Sequence, residues 1–247
     1  MKQVMTGAAL GLALALAGCG DGGGAGGSAP SAPIPAAAPP AGQAWTDVVS
    51  ETQQGGFMIG NPNAPVKVVE FASMTCGACA RFAQQGYPEL VDKYVKTGRV
   101  SFELRNFVRD PADLAAAMLA RCSGPGPFFQ LTEQMFEAQP EWLGKLQAMS
   151  PAAQQQLQGA QPGQQVSIYA EQAGLTEFVR VRGVPAERAQ ACLSDQANLQ
   201  KLVDMGAAAG RDYQVTGTPT FLINNEVVEN AANWEALAPR IKTAVGD

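Results

Sequence analysis

Val66-Lys-Val-Val-Glu-Phe-Ala-Ser-Met-Thr-Cys-Gly-Ala-Cys79 runs from an apolar, β-branched stretch directly into two thiols three positions apart. The turn cluster Gly60-Asn-Pro-Asn-Ala-Pro65 precedes it, so Val66 to Phe71 reads as a buried strand. Residues 77–97 then have helical character. Cys76 therefore falls at a helix N-terminus, where unpaired N–H groups and the helix dipole favour a thiolate. A thiolate beside a second thiol can attack a foreign disulfide and be released by its neighbour. The pattern points to thiol–disulfide exchange.

The rest of the chain supplies the frame. Val100-Ser-Phe-Glu-Leu-Arg-Asn-Phe107 alternates as a second strand, and Asp110-Pro111 starts a helix with Asp as cap. From Pro111 to about Tyr213 the chain is rich in Ala, Gln and Leu. Its Pro and Gly breaks predict helices near 111–121, 127–138, 141–148, 151–158, 163–173, 185–193 and 195–212. Thr218-Pro-Thr-Phe-Leu-Ile223, the turn pair Asn224-Asn225 and Glu226-Val-Val-Glu229 predict a hairpin. A last amphipathic helix covers 234–245. Phe128, Phe129, Met135, Phe136 and Trp142 are spaced for core packing.

Composition narrows the chemistry. The chain has no His, which removes His-activated nucleophiles, His metal ligands and His proton shuttles. Its net charge of −5 gives no reason to expect nucleic acid. Residues 45–247 are ample for one domain with a substantial core.

The N-terminus reads as an export signal. Lys2 precedes an apolar stretch from Gly7 to Ala17, too short for the roughly 20 residues of a spanning helix. Leu16-Ala-Gly-Cys19 resembles the lipobox of bacterial lipoproteins. That resemblance implies removal of a signal peptide over 1–18, acylation of Cys19 and a lipid anchor at the periplasmic face of a bacterial membrane. Residues 20–44 are almost entirely Gly, Ala, Pro and Ser. With Cys19 they form an expected disordered tether over 19–44, since such a composition buries too little apolar area to offset chain entropy.

The order strand, helix, strand, helical block, strand, strand, helix resembles the thioredoxin superfold, an α/β fold. Here a large all-helical insertion, at about 111–213, would separate the second and third core strands. With the CxxC after Val-Val-Glu-Phe71 and Thr216-Gly-Thr-Pro-Thr-Phe-Leu-Ile223 some 140 residues later, the chain resembles the DsbA-like branch of extracytoplasmic thiol–disulfide oxidoreductases. The resemblance implies Cys76 as nucleophile, Cys79 as resolving thiol and Pro219 as a cis-proline facing them. Thr218 would offer backbone hydrogen bonds to a substrate strand, and Glu70 would take the Cys79 proton. It implies exported proteins as substrates, a membrane redox partner (a reoxidase or an electron donor), and no cofactor or metal beyond the Cys76–Cys79 pair. The family's strong oxidases carry Pro-His between the cysteines, whereas Gly77-Ala78 stands here. That predicts a weaker oxidant and leaves the oxidase and reductase or isomerase directions both open.

With Cys19 acylated and Cys76 and Cys79 set aside, Cys122 and Cys192 remain as an even pair in an oxidising compartment, which predicts a structural disulfide. Two other readings compete: a zinc module using Cys76, Cys79, Cys122 and Cys192, and a redox-inactive lipoprotein binding peptides near Pro219.

Overall fold

The computed structural model describes residue 30 and residues 32–247; the signal segment 1–18, Cys19 and the first part of the tether lie outside the described residues. Six strands form one mixed sheet: β1 (Val49–Glu51), β2 (Phe57–Gly60), β3 (Val66–Ala72), β4 (Val100–Asn106), β5 (Thr220–Ile223) and β6 (Glu226–Val227), in the order β1-β2-β4-β3-β5-β6. Only β3 and β4 run parallel, joined by the crossover helix α1 (Gly77–Lys93). Glu70 pairs with Leu104 on one side and Phe221 on the other, so β3 is central and almost wholly buried. The β5–β6 hairpin turns at Asn224 and Asn225, both at positive φ, a conformation Asn tolerates better than most residues.

Between β4 and β5 lies the helical insertion: α2 (Pro111–Arg121), α3 (Pro125–Glu137), α4 (Gln139–Gln147), α5 (Pro151–Gly159), α6 (Pro162–Gln172), α7 (Leu175–Arg180), α8 (Ala186–Leu193) and α9 (Gln196–Tyr213). The fold is thus the expected thioredoxin-like one, with its insertion between the second and third core strands. The helix α10 (Trp234–Val245) closes the chain. Strand alternation sends Val68, Phe102 and Phe221 into the main core with α1, α3 and α10, while Val69, Phe71 and Leu222 meet α9 on the other face. Gly86 permits the close crossing of α1 and α10, since a Cβ there would come within 2.9 Å of the Trp234 Cβ.

α2 is the hub of the insertion. Ala115, Ala116 and Ala117 are fully buried, and their small side chains let α3, α6, α7 and α8 approach from several directions. Its last turn reaches back to the sheet. Arg121 lies over the Phe57 ring at 4.5 Å and donates to the Gly55 carbonyl at 2.8 Å and the Glu51 carboxylate at 3.0 Å.

The structure differs from the sequence expectations at several points. The helix expected over 77–97 ends at Lys93, and Val95–Thr97 is a 3-10 turn stopped by Gly98 at φ 72°. The short strands β1 and β2 and the helix α7 had no counterpart in the sequence reading. Part of the expected disordered tether is ordered. The Ile34 N–H donates to the Val245 carbonyl, the Ala37 N–H to the Thr97 carbonyl (each 2.9 Å), and the Trp45 indole to the Ala37 carbonyl at 2.8 Å. The segment has no core of its own but borrows one: Ile34 packs against the main core, and Trp45 is buried. Gly98 makes room for this strap, because a Cβ there would sit 2.8 Å from the Ala37 oxygen.

Cys122, at the end of α2, is bonded to Cys192 in α8, with their Cα atoms 5.7 Å apart and 70 positions apart in sequence. Closing a loop of that length removes entropy from the unfolded chain worth about 4 kcal/mol in the chain-entropy model. Replacing both cysteines with Ala is therefore expected to lower unfolding stability by about 2–4 kcal/mol, read from the denaturant midpoint of the oxidised protein.

Candidate active site

β3 ends at Ala72, and the loop 73–76 delivers Cys76 to the first turn of α1 as its N-cap. Cys76 takes an extended backbone conformation (φ −87°, ψ 117°), and its sulfur accepts the Cys79 N–H at 3.4 Å. Facing it is the Thr218–Pro219 bond, which is cis, with Pro219 buried at the start of β5. The protonated Cys76 thiol donates to the Thr218 carbonyl at 3.2 Å. Residues 142 positions apart thus meet because β3 and β5 are antiparallel neighbours.

Electrostatics divide the two thiols. The Cys79 thiol donates to the Cys76 sulfur, and this is the main reason the Cys76 pKa falls to about 5. Partial burial opposes the shift, while the Thr218 hydroxyl and the backbone N–H groups of Cys79 and Ala78 add to it. None of these groups is a cation. Cys79, 1% exposed, is pushed well above its ordinary value by burial, by its bond to Cys76 and by the charges of Glu70 and Cys76. Glu70, 2% exposed, is also pushed well up, first by burial and then by the Cys76 charge. The site can therefore hold one exposed-side thiolate, one neutral buried thiol and one protonated carboxyl together.

Three groups outside the expected set hold the loop. The Gln139 side chain, at the start of α4, donates to the carbonyls of Met74 (2.8 Å) and Cys76 (3.1 Å). Asp113, in the first turn of α2, accepts the Met74 N–H at 2.7 Å and the Arg109 N–H at 3.0 Å. Arg109 in turn reaches the hydroxyls of Ser73 and Thr75, each at 2.9 Å. In the sequence, Asp113 reads only as a first-turn acid suited to the helix dipole, and Gln139 carries no local signal.

The structure thus brings Cys76, Cys79, Glu70, Thr218 and Pro219 together. Cys122 and Cys192 do not join them, being consumed in their own bond, so a four-thiolate zinc site is not assembled. Among the described residues no cluster of His, Cys, Asp or Glu is arranged to hold a metal. Cys19 lies outside the described residues.

A family model described as Thioredoxin matches residues 52–243. The chain belongs to the thioredoxin family. It is 28% identical over 186 residues to a Rickettsia prowazekii protein named "Putative protein-disulfide oxidoreductase", an alignment covering 75% of this chain and 60% of the relative. The chain thus spans about three fifths of the length of that relative. It is 22% identical to disulfide bond formation protein D of Bacillus subtilis, covering 76% of this chain and 77% of that one. Among solved structures, a protein-disulfide isomerase from Novosphingobium aromaticivorans superposes with a TM-score of 0.73 at 30% identity, over 77% of this chain and 97% of that one. Wolbachia pipientis alpha-DsbA1 superposes with a TM-score of 0.61 at 21% identity, over 76% and 90%, and shares the fold.

A thioredoxin-family site with a sulfur held this way has a measurable signature. In the reduced protein, ultraviolet thiolate absorbance is expected to rise with a midpoint near 5, and Cys76→Ser should abolish that transition. The folded-state pKa of Cys76 lies below its unfolded value, so its contribution is complete above about 9 and is lost as pH falls toward 5. The reduced protein should accordingly gain stability relative to the Cys76–Cys79 disulfide form as pH rises through that window. Paired denaturation curves of the two forms at several pH values check the sign.

Proposed function

We propose that this protein is an extracytoplasmic thiol–disulfide oxidoreductase that exchanges disulfides with exported proteins through Cys76 and Cys79. The observation that carries the reading is the Cys76 sulfur, stabilised as an anion by N-cap and thiol hydrogen bonds while it faces the cis Thr218–Pro219 bond. The names of the relatives support it.

In the direction the site favours, a substrate thiolate attacks the Cys76 sulfur of the Cys76–Cys79 disulfide. A substrate–Cys76 bond forms, and the electron pair of the broken bond leaves on Cys79, which takes a proton and becomes the neutral buried thiol. A second substrate thiolate then attacks the substrate sulfur, forming the substrate disulfide and releasing Cys76 as a thiolate. Two electrons pass from substrate to enzyme. A leaving sulfur stabilised this far favours the reduced enzyme and makes its disulfide an oxidant. Glu70, the one buried carboxyl facing the pair, supplies or accepts the Cys79 proton. The Thr218 backbone beside the sulfur would pair with an extended substrate segment.

The sequence supports a membrane-tethered setting. Acylation of Cys19, after removal of 1–18, would hold the domain at the periplasmic face. There a membrane redox partner of the quinone-linked type would return the enzyme to its disulfide form.

Cys79→Ala removes the buried leaving and resolving sulfur, so mixed disulfides at Cys76 should accumulate. Affinity capture of this variant from cells, with thiols blocked at lysis, is expected to recover exported proteins released by reductant. A variant that yields no reductant-sensitive partners would overturn the exchange reading. Equilibration of the wild-type protein with glutathione gives the direction, an oxidant reaching half-reduction at less reducing poise than a reductase.

A further inference from the structure

Besides the Thr218 hydroxyl beside Cys76, two buried oxygens near the site lack any partner within the protein: Glu70 Oε1 and the Thr132 hydroxyl. Both line the same small cavity between α1 and α3, walled by Phe82 and Phe129, with Glu133 and Tyr87 also on its lining. Its volume for a water centre is about 10 Å³, room for about one water molecule. Tyr87 and Glu133 also line an open cleft of about 360 Å³ on the surface, so the half-buried Glu133 touches both spaces. Buried polar atoms left without partners are uncommon, and two on one water-sized space call for a shared explanation.

We propose that the proton exchanged at Glu70 enters and leaves through this seam, passing the Thr132 hydroxyl and one bridging water to the Glu133 carboxylate. The inference rests on the exchange reaction proposed above and concerns only its proton. When the enzyme resolves a mixed disulfide, the Cys79 sulfur attacks Cys76, the Cys76–Cys79 bond forms and the substrate sulfur departs with the electron pair. As the bond forms, Cys79 gives its proton to Glu70, which has released its own proton outward along the seam. At that moment the substrate covers the Cys76 side of the pair. A second way out, on the far side of Glu70, lets the proton leave while the substrate is still bound.

The surroundings suit the route. Burial pushes the Glu133 carboxyl up to about 7, with the Tyr87 hydroxyl partly offsetting it, so Glu133 can both take and give a proton near neutrality. The titratable groups facing Glu70 are Cys76 and Cys79 from the start of α1, Tyr87 from its later turns and Glu133 from α3. The strands on either side turn Leu104 and Phe221 toward the core, while Arg105, paired with Glu103, lies over Phe71 on the opposite face. On the outer cleft, Asp92 is the other carboxylate, and it is paired with Lys96. No lysine or arginine lines the cavity to hold Glu70 as a fixed anion.

The test uses the full chain, with oxidised glutathione as probe, rapid quenching and thiol alkylation read by mass. The first step forms glutathionylated Cys76, and the second resolves it through Cys79. Thr132→Val and Glu133→Gln are expected to leave the first step unchanged and slow the second about tenfold, with Thr132→Ser restoring it. Thr132→Val keeps the shape and removes an unpartnered hydroxyl, so its thermal midpoint should not fall. Equal second-step rates in all variants would overturn the seam, as would parallel loss of both steps, which marks a structural role. If the wild-type protein forms no mixed disulfide, the exchange reading itself falls and takes the seam with it. A wild type that completes both steps beside unaffected variants removes the seam alone.

Discussion

A sulfur anion at the first turn of a helix, steadied by dipoles rather than by a cation, is the constraint from which the rest of this structure follows. Hydrogen bonds from the Cys79 thiol and backbone amides weaken steeply once their geometry is lost. The loop 73–76 must therefore be fixed from outside, because a strand-to-helix turn of four residues has few bonds of its own. Gln139 and Asp113 supply that fixation by binding the loop's backbone, and Arg109 ties its two hydroxyls together. Both Gln139 and Asp113 belong to the helical insertion. The insertion thus acts as the brace of the site as well as an addition to the sheet.

Beneath the sulfur pair the fold places an acid where no charge is comfortable. Ionised Glu70 would be desolvated and would face the Cys76 anion, so the two negative charges disfavour each other. The protonation of Glu70, Cys76 and Cys79 is consequently a property of the group, and one proton is redistributed whenever the Cys76 bond changes. Burying an unpaired carboxyl costs stability. Its retention at the centre of the sheet makes sense only if the thiol beside it must gain and lose a proton in a place water does not reach freely.

How much of this was legible in the chain depends on the range of the interactions. Cys76 as an N-cap, the crossover after β3 and the Asn224-Asn225 turn are decided within a few residues, and the sequence carries them openly. Thr218-Pro219 needed the remote CxxC to be read as part of a site, and the resemblance to a family supplied that link. Gln139 could not be found this way, because its role depends on where α4 lands against a loop more than sixty residues earlier. Thr132 and Glu133 look like ordinary helix residues until α3 is laid against α1. The strap from Ile34 to Trp45 misled the compositional reading for the same reason: Pro- and Ala-rich chain has no core of its own, yet one isoleucine and one tryptophan can dock on another. The strands β1 and β2 are too short to show a period, and their partner β4 organises them.

The position of the Cys122–Cys192 bond fits this division of labour. Asp113, in the first turn of α2, holds the active-site loop, and Cys122, just past the last turn, is bonded to α8. Arg121 beside it fastens the same end to the β1–β2 connection and the Phe57 ring. A rigid helix pinned at its far end transmits little slack to its near end, and Asp113 sits in the first turn, where slack would be felt by the Met74 amide. The bond and the Arg121 anchor are therefore coupled to the sulfur through one helix about 16 Å long, without touching it. An insertion that only enlarged the core would have no need to be fastened at the end away from the chemistry. One that must hold a loop within hydrogen-bond tolerance does.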